Sequence, residues 1–432
     1  MKIAIVGFDV EGRSSYEYFK KRGHDITICD QSASVDVPAG AQSHLGADYL
    51  DGLDTFDLII RTAGLNPRKI LEKYPDIGDK ISTQINEFMA ASPTKHVIGI
   101  TGTKGKGTTS TLTTEILRAA GRRVFLGGNI GIPVLDFIDE LAPTDWVVLE
   151  LSSFQLSDLR RAPHIAACLM IVPDHLNWHE DMTDYANAKA NLFRMQKPSD
   201  IAIYFADDQA SHAIARQSPG DKICYYDEPG AYVEDDKIKI DNQVICRVDE
   251  LRIPGKHNWQ NICAAVTVAW QAGVMDVVAI HRAVTSFTGL PHRLERVTEA
   301  LGVTYYDDSF STTPETAVAA IEAFHQHKVL ILGGSNKGVS LQPLIDAVIA
   351  SPSVRHVVTI GETGPHIARE LREASVPTSP GGQDMTDIVG HAHRAAKSGD
   401  VVLLSPGCAS FGLFHDYKDR GDQFKDAALR LA

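Results

Sequence analysis

The residues with the clearest chemical potential lie in a glycine-rich segment that reads GITGTKGKGTTS over positions 99–110. The apolar run KHVIGI precedes it and the helical pattern TLTTEILRAAG follows it, so we predict a strand, a loop and a helix. Such a loop presents backbone N–H groups and a helix N-terminus to phosphate oxygens, and its lysine reaches the β- and γ-phosphates. We therefore expect a nucleoside triphosphate site, with a plain surface turn as the alternative. The predicted phosphate cradle consists of Gly102, Thr103, Lys104, Gly105, Lys106, Gly107, Thr108 and Thr109.

This segment departs from the strict phosphate-loop pattern GxxxxGK[ST]. Ile100 stands at the first glycine position, and Gly107 replaces the hydroxyl residue that usually binds Mg²⁺. Thr108 or a water molecule would have to supply that metal contact. The run Gly-Lys-x-Thr-Thr between a strand and a helix still favours phosphate binding.

Three further side chains could act beside this loop. Glu150 ends the apolar run VVLE, and a carboxylate at the end of a strand next to a phosphate loop suits a metal ion. His175 follows the run that ends IVPD, and Lys189 lies in the helical segment TDYANAKANLF. Each has a plain alternative: an acid facing water, a solvated loop histidine and a solvated lysine on a helix surface.

Apolar runs alternate with helical patterns along most of the chain, which predicts an α/β fold of parallel sheets. We expect three domains: a Rossmann-like N-terminal domain over 1–91, a central P-loop ATPase-type parallel-sheet domain over 92–289 and a Rossmann-like C-terminal α/β domain over 290–432. Gly7 and Gly12 lie at the first turn, but Asp9 breaks the GxGxxG pattern, which disfavours dinucleotide binding. The predicted strands are KIAIVG, HDITICD, FDLIIRTAG, HVIGITG, RRVFLGG, DWVVLELS, HIAACLMIV, TYYDDS, KVLILGG, RHVVTIG and GDVVLLSP.

Composition narrows the class of partner. The net charge of −13 over 432 residues argues against nucleic acid or an anionic membrane as the main partner. No apolar run approaches the roughly 18 residues that a membrane span needs, and the segment MKIAIVGFDV does not resemble a signal peptide. The six cysteines include no CxxC pair, which favours reduced thiols and a cytoplasmic protein.

From residue 95 to residue 425 the sequence resembles the Mur ligase family. The resemblance implies an enzyme that uses ATP to phosphorylate the carboxylate of a UDP-muramoyl substrate, so that an amine can attack the acyl phosphate and form an amide. It is nearest to glutamate-adding members, which implies UDP-N-acetylmuramoyl-L-alanine and glutamate, D-glutamate favoured, as substrates in peptidoglycan precursor synthesis. The motifs that carry the resemblance are TGTKGKGTT, GGNIGIP, LELSSFQL, PDHLNWH, YANAK, PGKHNWQN, GLPHRLE, DDSFSTTPE, LGGSNKG and LSPGCASFGLFHDYKDRGDQF.

The resemblance also implies roles for individual residues. Lys106, Glu150, His175 and Lys189 match the catalytic positions, with ATP and two Mg²⁺ sites as cofactors and Lys189 carried as a carbamate. The implied metal ligands are Glu150, His175, carbamylated Lys189 and Thr108. The implied contacts to the nucleotide beyond the cradle are Asn258, Asn261, Arg293 and Asp308. The implied contacts to the UDP-substrate are Val10, Glu11, Gln31, Ser32, Gly64 and Asn129. The implied contacts to the amino acid are Thr312, Lys337, Ser410 and Tyr417.

Several positions depart from the family pattern. Lys104 stands where asparagine is frequent, Phe310 replaces a lysine beside the amino-acid site and Tyr417 replaces a phenylalanine. An L-glutamate-adding relative therefore stays open as an alternative. A P-loop phosphotransferase or simple NTPase, and a non-catalytic sensor of nucleotides or UDP-sugars, are the alternatives from other classes. We expect a monomer.

Overall fold

The computed structural model describes residues 1–253, 255–335 and 339–431, and it confirms an α/β fold built on parallel sheets. The chain divides into two compact units. Unit 1 comprises Met1–Glu250 and His257–Thr285, and unit 2 comprises Leu251–Lys256 and Ser286–Ala432. The two N-terminal domains of the prediction thus lie in one compact unit, and the predicted boundaries at residues 91 and 289 remain predictions.

The first sheet of unit 1 has five parallel strands in the order β3-β2-β1-β4-β5. Its central strands are near-continuous in Ile and Val because helices cover both faces. The first helix begins at Val10, and Gly12 packs so tightly that a Cβ there would lie 2.0 Å from the Gly7 carbonyl oxygen. The strands are β1 (Lys2–Val6), β2 (Asp25–Asp30), β3 (Gln42–Leu45), β4 (Leu58–Arg61) and β5 (Ile81–Thr83). The helices are α1 (Val10–Lys21), α2 (Arg68–Lys73) and α3 (Gln84–Ala91).

The second sheet of unit 1 has six parallel strands in the order β11-β10-β9-β6-β8-β7. The strand before the glycine loop lies in the middle, between the strand that ends at Glu150 and the strand that leads to His175. The strands are β6 (Val97–Thr101), β7 (Val124–Gly128), β8 (Trp146–Glu150), β9 (Ile165–Cys168), β10 (Ile201–Phe205) and β11 (Asp221–Tyr225). The helices are α4 (Lys106–Ala119), α5 (Ser153–Leu156), α6 (Met182–Arg194) and α7 (Gln209–Ala215).

Unit 1 is completed by a small antiparallel sheet and two long helices. The sheet consists of β12 (Tyr232–Glu234), β13 (Lys237–Ile240) and β14 (Gln243–Arg247), which the sequence analysis did not predict. The helices are α8 (Lys256–Gln271) and α9 (Val277–Ser286). Helix α8 is buried along most of its length and packs its first turns against the glycine loop.

A buried arginine joins the two parallel sheets of unit 1. Arg61, at the end of β4, is 1% exposed and pairs with Asp158 through two hydrogen bonds of 2.8 and 2.6 Å. The same guanidinium donates to the carbonyl oxygens of Leu65 and Phe154. A fixed guanidinium fork can bind a carboxylate and several carbonyls at once, so one side chain connects the loop after β4 to helix α5 and the residues that follow it.

Unit 2 contains one six-stranded sheet in the order β15-β16-β20-β17-β18-β19, with β15 antiparallel and the others parallel. Helices cover both faces, and two apolar clusters fill the space beneath them. The strands are β15 (Glu295–Ala300), β16 (Val303–Asp307), β17 (Lys328–Gly333), β18 (Val354–Ile360), β19 (Thr378–Pro380) and β20 (Val401–Leu404). The helices are α10 (Pro314–Glu322), α11 (Gln342–Ala350), α12 (Gly364–Glu373), α13 (Met385–Ala395) and α14 (Tyr417–Leu429).

The eleven predicted strands all occur, as β1, β2, β4, β6, β7, β8, β9, β16, β17, β18 and β20. Within the described ranges, no helix combines the length and the apolar character that a membrane crossing requires.

Candidate active site

The glycine loop connects the end of β6 to the start of α4. Gly102 and Gly105 have φ values of +141° and +87°, a region that side chains with a Cβ rarely adopt. A Cβ on Gly105 would lie 2.1 Å from Oδ1 of Asn261, and one on Gly102 would lie 2.7 Å from Cβ of Leu169. Only glycine fits at both positions, so the backbone can form a tight turn at the N-terminus of a helix.

Two lysines of the loop supply positive charge. The amino group of Lys106 donates to the carbonyl oxygens of Gly102 and Thr103, each at 3.0 Å, and therefore curls over the turn. The amino group of Lys104 lies 3.9 Å from a carboxylate oxygen of Asp174. The hydroxyl group of Thr103 contacts the Tyr185 hydroxyl at 2.8 Å, which anchors the loop to helix α6.

Glu150 is the buried acid of the site. It is 3% exposed at the end of β8, and its Oε1 accepts a hydrogen bond of 2.9 Å from the side-chain amide of Asn129. Its other oxygen, Oε2, is buried and has no hydrogen-bond partner among the described residues. A buried carboxylate oxygen without a donor is unfavourable, so this oxygen fits a bound cation. The alternative of an acid facing water is wrong.

Lys189 lies inside the protein, not on a solvated helix surface. It is 1% exposed, and its amino group donates to the carbonyl oxygen of Gly102 at 2.9 Å and to the hydroxyl of Thr101 at 3.4 Å. Burial, aided by the nearby charge of Lys106, lowers the pKa of Lys189 to about 7. Its amine is therefore substantially neutral at physiological pH.

His175 lies on the loop after β9, with its side chain 49% exposed. Partial burial is the main cause that lowers the pKa of its imidazole, and the charges of Lys106 and Lys189 lower it further, whereas Asp174 opposes the shift. The backbone N–H of Val172 donates to the Thr103 hydroxyl at 3.1 Å, and Lys104 lies near Asp174, so the chain segment that leads to His175 lies beside the glycine loop. A neutral imidazole is the form that binds metal ions.

A second histidine, which the sequence analysis did not single out, anchors this loop. His179 is 2% exposed, and its ring nitrogens contact Asp184 at 3.0 Å and Ser153 at 2.9 Å. Its backbone N–H donates to the carbonyl oxygen of His175. Burial lowers the pKa of His179, so the neutral ring donates through Nδ1 to the carboxylate and accepts the serine proton at Nε2. The segment HLNWHED shows two histidines, but only the fold distinguishes the buried one.

Five of the six residues implied for the UDP-substrate lie around the carboxyl ends of the first sheet, and the sixth, Asn129, follows β7 of the second sheet. Val10, Gln31, Ser32 and Gly64 are exposed. Glu11 is engaged internally, because its carboxylate accepts from the backbone N–H of Ala63 at 3.1 Å and from the side chain of Gln155 at 2.7 Å. Their contacts to a substrate remain predictions.

The two asparagines implied for the adenine end lie on the first turns of α8. The Asn261 amide donates to the Asn258 side-chain oxygen at 3.2 Å. The hydroxyl of Thr109 reaches the Asn261 carbonyl oxygen at 3.5 Å, so the structure brings this helix against the phosphate cradle. Their role in binding adenine was not tested and remains a prediction.

Unit 2 holds the other two residues implied for the nucleotide. Asp308 is 5% exposed and accepts hydrogen bonds from the Leu294 backbone and from the hydroxyls of Ser311 and Ser405. Burial raises the pKa of Asp308 to about 7. The guanidinium of Arg293 lies over the ring of Phe310, with its Cζ atom 3.7 Å from the ring centroid.

Three of the four residues implied for the amino acid are described, and all belong to unit 2. Ser410 is buried, Thr312 is half-buried and Tyr417 begins helix α14. Lys337 lies outside the described residues. The backbone N–H of Ser335 donates to the Ala409 carbonyl oxygen at 2.8 Å, so Ser335 lies beside the segment that carries Ser410.

Comparison with known proteins gives the family. Residues 100–269 match the family model of the Mur ligase middle domain, and residues 292–408 match that of the Mur ligase, glutamate ligase domain. The chain belongs to the Mur ligase family.

Two curated relatives carry one specific name. A protein of Symbiobacterium thermophilum, named UDP-N-acetylmuramoylalanine--D-glutamate ligase, is 36% identical over 453 residues, covering 100% of this chain and 98% of the relative. A protein of Acetivibrio thermocellus with the same name is 33% identical, covering 98% of this chain and 95% of the relative.

Solved structures support the fold. UDP-N-acetylmuramate-alanine ligase MurC of Thermotoga maritima matches with a TM-score of 0.60 at 16% identity, covering 100% of both chains. MurF of Acinetobacter baumannii matches with a TM-score of 0.63 at 18% identity, covering 93% of this chain and 84% of that chain. At this level of identity the likeness concerns the fold alone.

Proposed function

We propose that this protein is an ATP-dependent ligase that joins glutamate, D-glutamate favoured, to UDP-N-acetylmuramoyl-L-alanine in peptidoglycan precursor synthesis. Full-length relatives at 30–36% identity carry the corresponding name. The observation that carries the proposal is the buried Glu150, with one carboxylate oxygen lacking a partner among the described residues. It ends the strand beside β6, which leads into the glycine loop, and the buried Lys189 of α6 donates to that loop.

The reaction follows from the chemistry of the substrates. The carboxylate of the UDP-sugar substrate attacks the γ-phosphorus of ATP, and the bond from that phosphorus to the bridging oxygen breaks to give ADP. The amine of glutamate then attacks the carbonyl carbon of the acyl phosphate, loses a proton and expels inorganic phosphate. Because phosphorylation supplies the leaving group, the protein has mainly to position the reactants and neutralise charge.

The glycine loop performs the first part of that work. Its turn and the N-terminus of α4 direct backbone N–H groups to the phosphates. Lys106 would leave its two carbonyl contacts in the loop and donate to the terminal phosphate. Lys104 adds a second positive charge at the same end.

The residues present fit two Mg²⁺ ions. Glu150, His175 and a carbamylated Lys189 would hold them, with Thr108 as the candidate in place of the hydroxyl that Gly107 lacks. Bound Mg²⁺ would neutralise the charge that develops on the transferred phosphate. The unpartnered oxygen of Glu150 supports this assignment, since a cation would satisfy it.

Lys189 is suited to carbamylation by its environment. Its neutral amine can attack the carbon of CO₂, forming an N–C bond and releasing one proton to solvent. The product is an anion, which the nearby positive charge of Lys106 stabilises. A carbamate also turns a group that repels Mg²⁺ into one that binds it.

The substrates would meet the remaining predicted positions. Val10, Glu11, Gln31, Ser32, Gly64 and Asn129 are proposed for the UDP-sugar, and Thr312, Lys337, Ser410 and Tyr417 for glutamate. The buried thiols support a reducing compartment, so we propose a cytoplasmic enzyme, acting as a monomer.

A phosphate-release assay tests the proposal. Purified protein is mixed with ATP, Mg²⁺ and UDP-N-acetylmuramoyl-L-alanine and offered a panel of D- and L-amino acids. We expect phosphate release that requires both the UDP-sugar and D-glutamate. Phosphate release with L-glutamate and the UDP-sugar, but not with D-glutamate and the UDP-sugar, would favour the L-glutamate-adding alternative. Phosphate release without an amino acid would favour an NTPase. ADP formation without free phosphate, measured in parallel, would favour a phosphotransferase, and neither product with any pair would favour a sensor.

A further inference from the structure

Phe310 is the residue of the segment DSFSTT that departs from the lysine of the family pattern, and its ring is 38% exposed. A partly exposed phenylalanine where the family resemblance implies a lysine needs a reason. In unit 2 this ring lies between two side chains that the proposed function places in binding sites, Arg293 for the nucleotide and Tyr417 for the amino acid.

The three side chains form one stack. The Arg293 guanidinium lies 3.7 Å from the centroid of the Phe310 ring, close enough for a cation–π interaction. The ring of Tyr417 meets that of Phe310 edge to face, with centroids 5.1 Å apart and planes at 89°, an arrangement that aromatic pairs prefer.

The backbone under the stack is held by hydrogen bonds. The N–H of Phe310 donates to the His292 carbonyl oxygen at 2.9 Å, which fixes the ring beside residue 293. The hydroxyl of Ser309 donates to the Tyr417 carbonyl oxygen at 2.7 Å. Buried Arg420 in turn donates to the hydroxyl and carbonyl oxygens of Ser309 at 2.9 and 2.8 Å. The stack therefore rests on a fixed scaffold.

A guanidinium whose central carbon lies over a ring face is restricted in its orientation, and its N–H groups are the donors that bind phosphate. Fixing that orientation in advance reduces the side-chain entropy lost when the nucleotide binds. We propose that Phe310 is a positioning residue, which holds Arg293 in its phosphate-binding orientation and is itself held by Tyr417. This inference rests on the proposed function, because it takes Arg293 as a nucleotide contact.

Calorimetric binding of a non-hydrolysable ATP analogue with Mg²⁺ to the full chain tests the inference. We expect Phe310→Leu to weaken binding roughly 2- to 30-fold, the range of a cation–π contact, and Phe310→Tyr to bind like the wild type because it keeps the ring. Phe310→Met is a second variant without an aromatic ring. If Phe310→Leu does not fold, Phe310→Met provides the test. The matched control is Phe125→Leu, which removes a ring under another guanidinium, that of Arg123, and should leave the affinity unchanged.

A double-mutant cycle separates positioning from a general structural effect. In an Arg293→Met background, Phe310→Leu should cause no further loss, because the ring acts through the guanidinium. Wild-type affinity in both ringless variants, or losses that multiply in the double mutant, would overturn the inference. The measurement needs no turnover, so a failure of ligase activity with every amino acid would reject the proposed function while leaving this result readable.

Discussion

At the scale of single residues, the burial of charged side chains distinguishes the candidate active site from an ordinary protein surface. Lys189 and Glu150 are nearly inaccessible to water, although both residue types usually lie outside. The end of an apolar run singled out Glu150 and the family resemblance singled out Lys189, but neither could reveal burial, which depends on how the chain packs around each side chain. His179 and the stacked position of Phe310 escaped prediction for the same reason, since their partners come from distant segments.

Replacing Lys189 tests its proposed role as a metal ligand. We expect Lys189→Ala to reduce kcat by roughly 100-fold or more, because the site loses one anionic ligand, and added acetate to restore part of the rate by replacing the carboxylate. Steady-state phosphate release with and without acetate measures this. Lys197→Ala, at an exposed lysine shortly after α6, is the control. Full activity in Lys189→Ala would remove the carbamate from the mechanism.

The pH dependence of carbamylation follows from the lowered pKa of Lys189. An ordinary lysine becomes neutral only near pH 10.5, whereas Lys189 does so as the pH rises through about 7. Incorporation of ¹³C-bicarbonate into the protein, followed by NMR, should therefore increase between about pH 6 and pH 8 and then level off, since CO₂ reacts with the neutral amine. A signal that keeps increasing towards pH 10 would contradict this expectation, and Lys189→Ala should show none.

At the scale of elements, the pattern of apolar runs predicted most strands of the core, and most of the strands that it missed are short or partly exposed. It also missed β10, whose run IAIYF is largely buried between two neighbouring strands. Strands such as VIGIT and WVVLE are buried on both faces, and such strands read as continuous apolar runs. The edge strand QSHL and the antiparallel strand KIKI are short or partly exposed, so no apolar run marks them. The loop that carries His175 and the end of β4 are likewise ordered by polar contacts, which hydrophobic patterns do not report.

The contact between Arg61 and Asp158 should be a major source of stability for unit 1. We expect Asp158→Asn to lower the free energy of unfolding by about 3 kcal/mol, because it leaves a buried guanidinium without its counter-charge. Urea unfolding followed by tryptophan fluorescence reports on this unit, since all four tryptophans lie in it. The tryptophans are Trp146, Trp178, Trp259 and Trp270.

The matched control is an exposed pair in the same unit. Glu115 and Arg118 lie one turn apart on α4, with side chains 43% and 50% exposed. Glu115→Gln should change the free energy of unfolding by about 0.5 kcal/mol or less. Equal effects of Asp158→Asn and Glu115→Gln would show that Arg61 does not depend on its carboxylate partner.

At the scale of the whole molecule, the unpaired thiols and the net charge are compatible with the proposed ligase. The six cysteines are unpaired and buried, and the net charge of −13 is compatible with an anionic substrate only where local lysines and arginines offset it. The glycine loop provides such a local excess with Lys104 and Lys106. Composition predicted the absence of disulfides, whereas the burial of each thiol required the fold.

Thiol labelling tests this arrangement. Native protein treated with a disulfide reagent should show no stoichiometric modification, because burial hides each thiol and raises the pKa of those at positions 29, 168, 224, 246 and 263. All six should react after unfolding in guanidinium chloride. Val278→Cys, at a position 75% exposed, provides a fast-reacting control. Rapid labelling of the unmodified native chain would contradict the described packing.

The guanidinium of Arg61 has a consequence for the history of the family. The Arg61 guanidinium binds both the loop that follows β4 and the end of α5. A substitution at only one residue of the Arg61–Asp158 pair would therefore leave the other charge without its partner. In an alignment of homologous sequences, the two positions should therefore either both be conserved or both be substituted. Lineages that carry another turn in place of RTAGLNP are where a paired replacement at the two sites should appear.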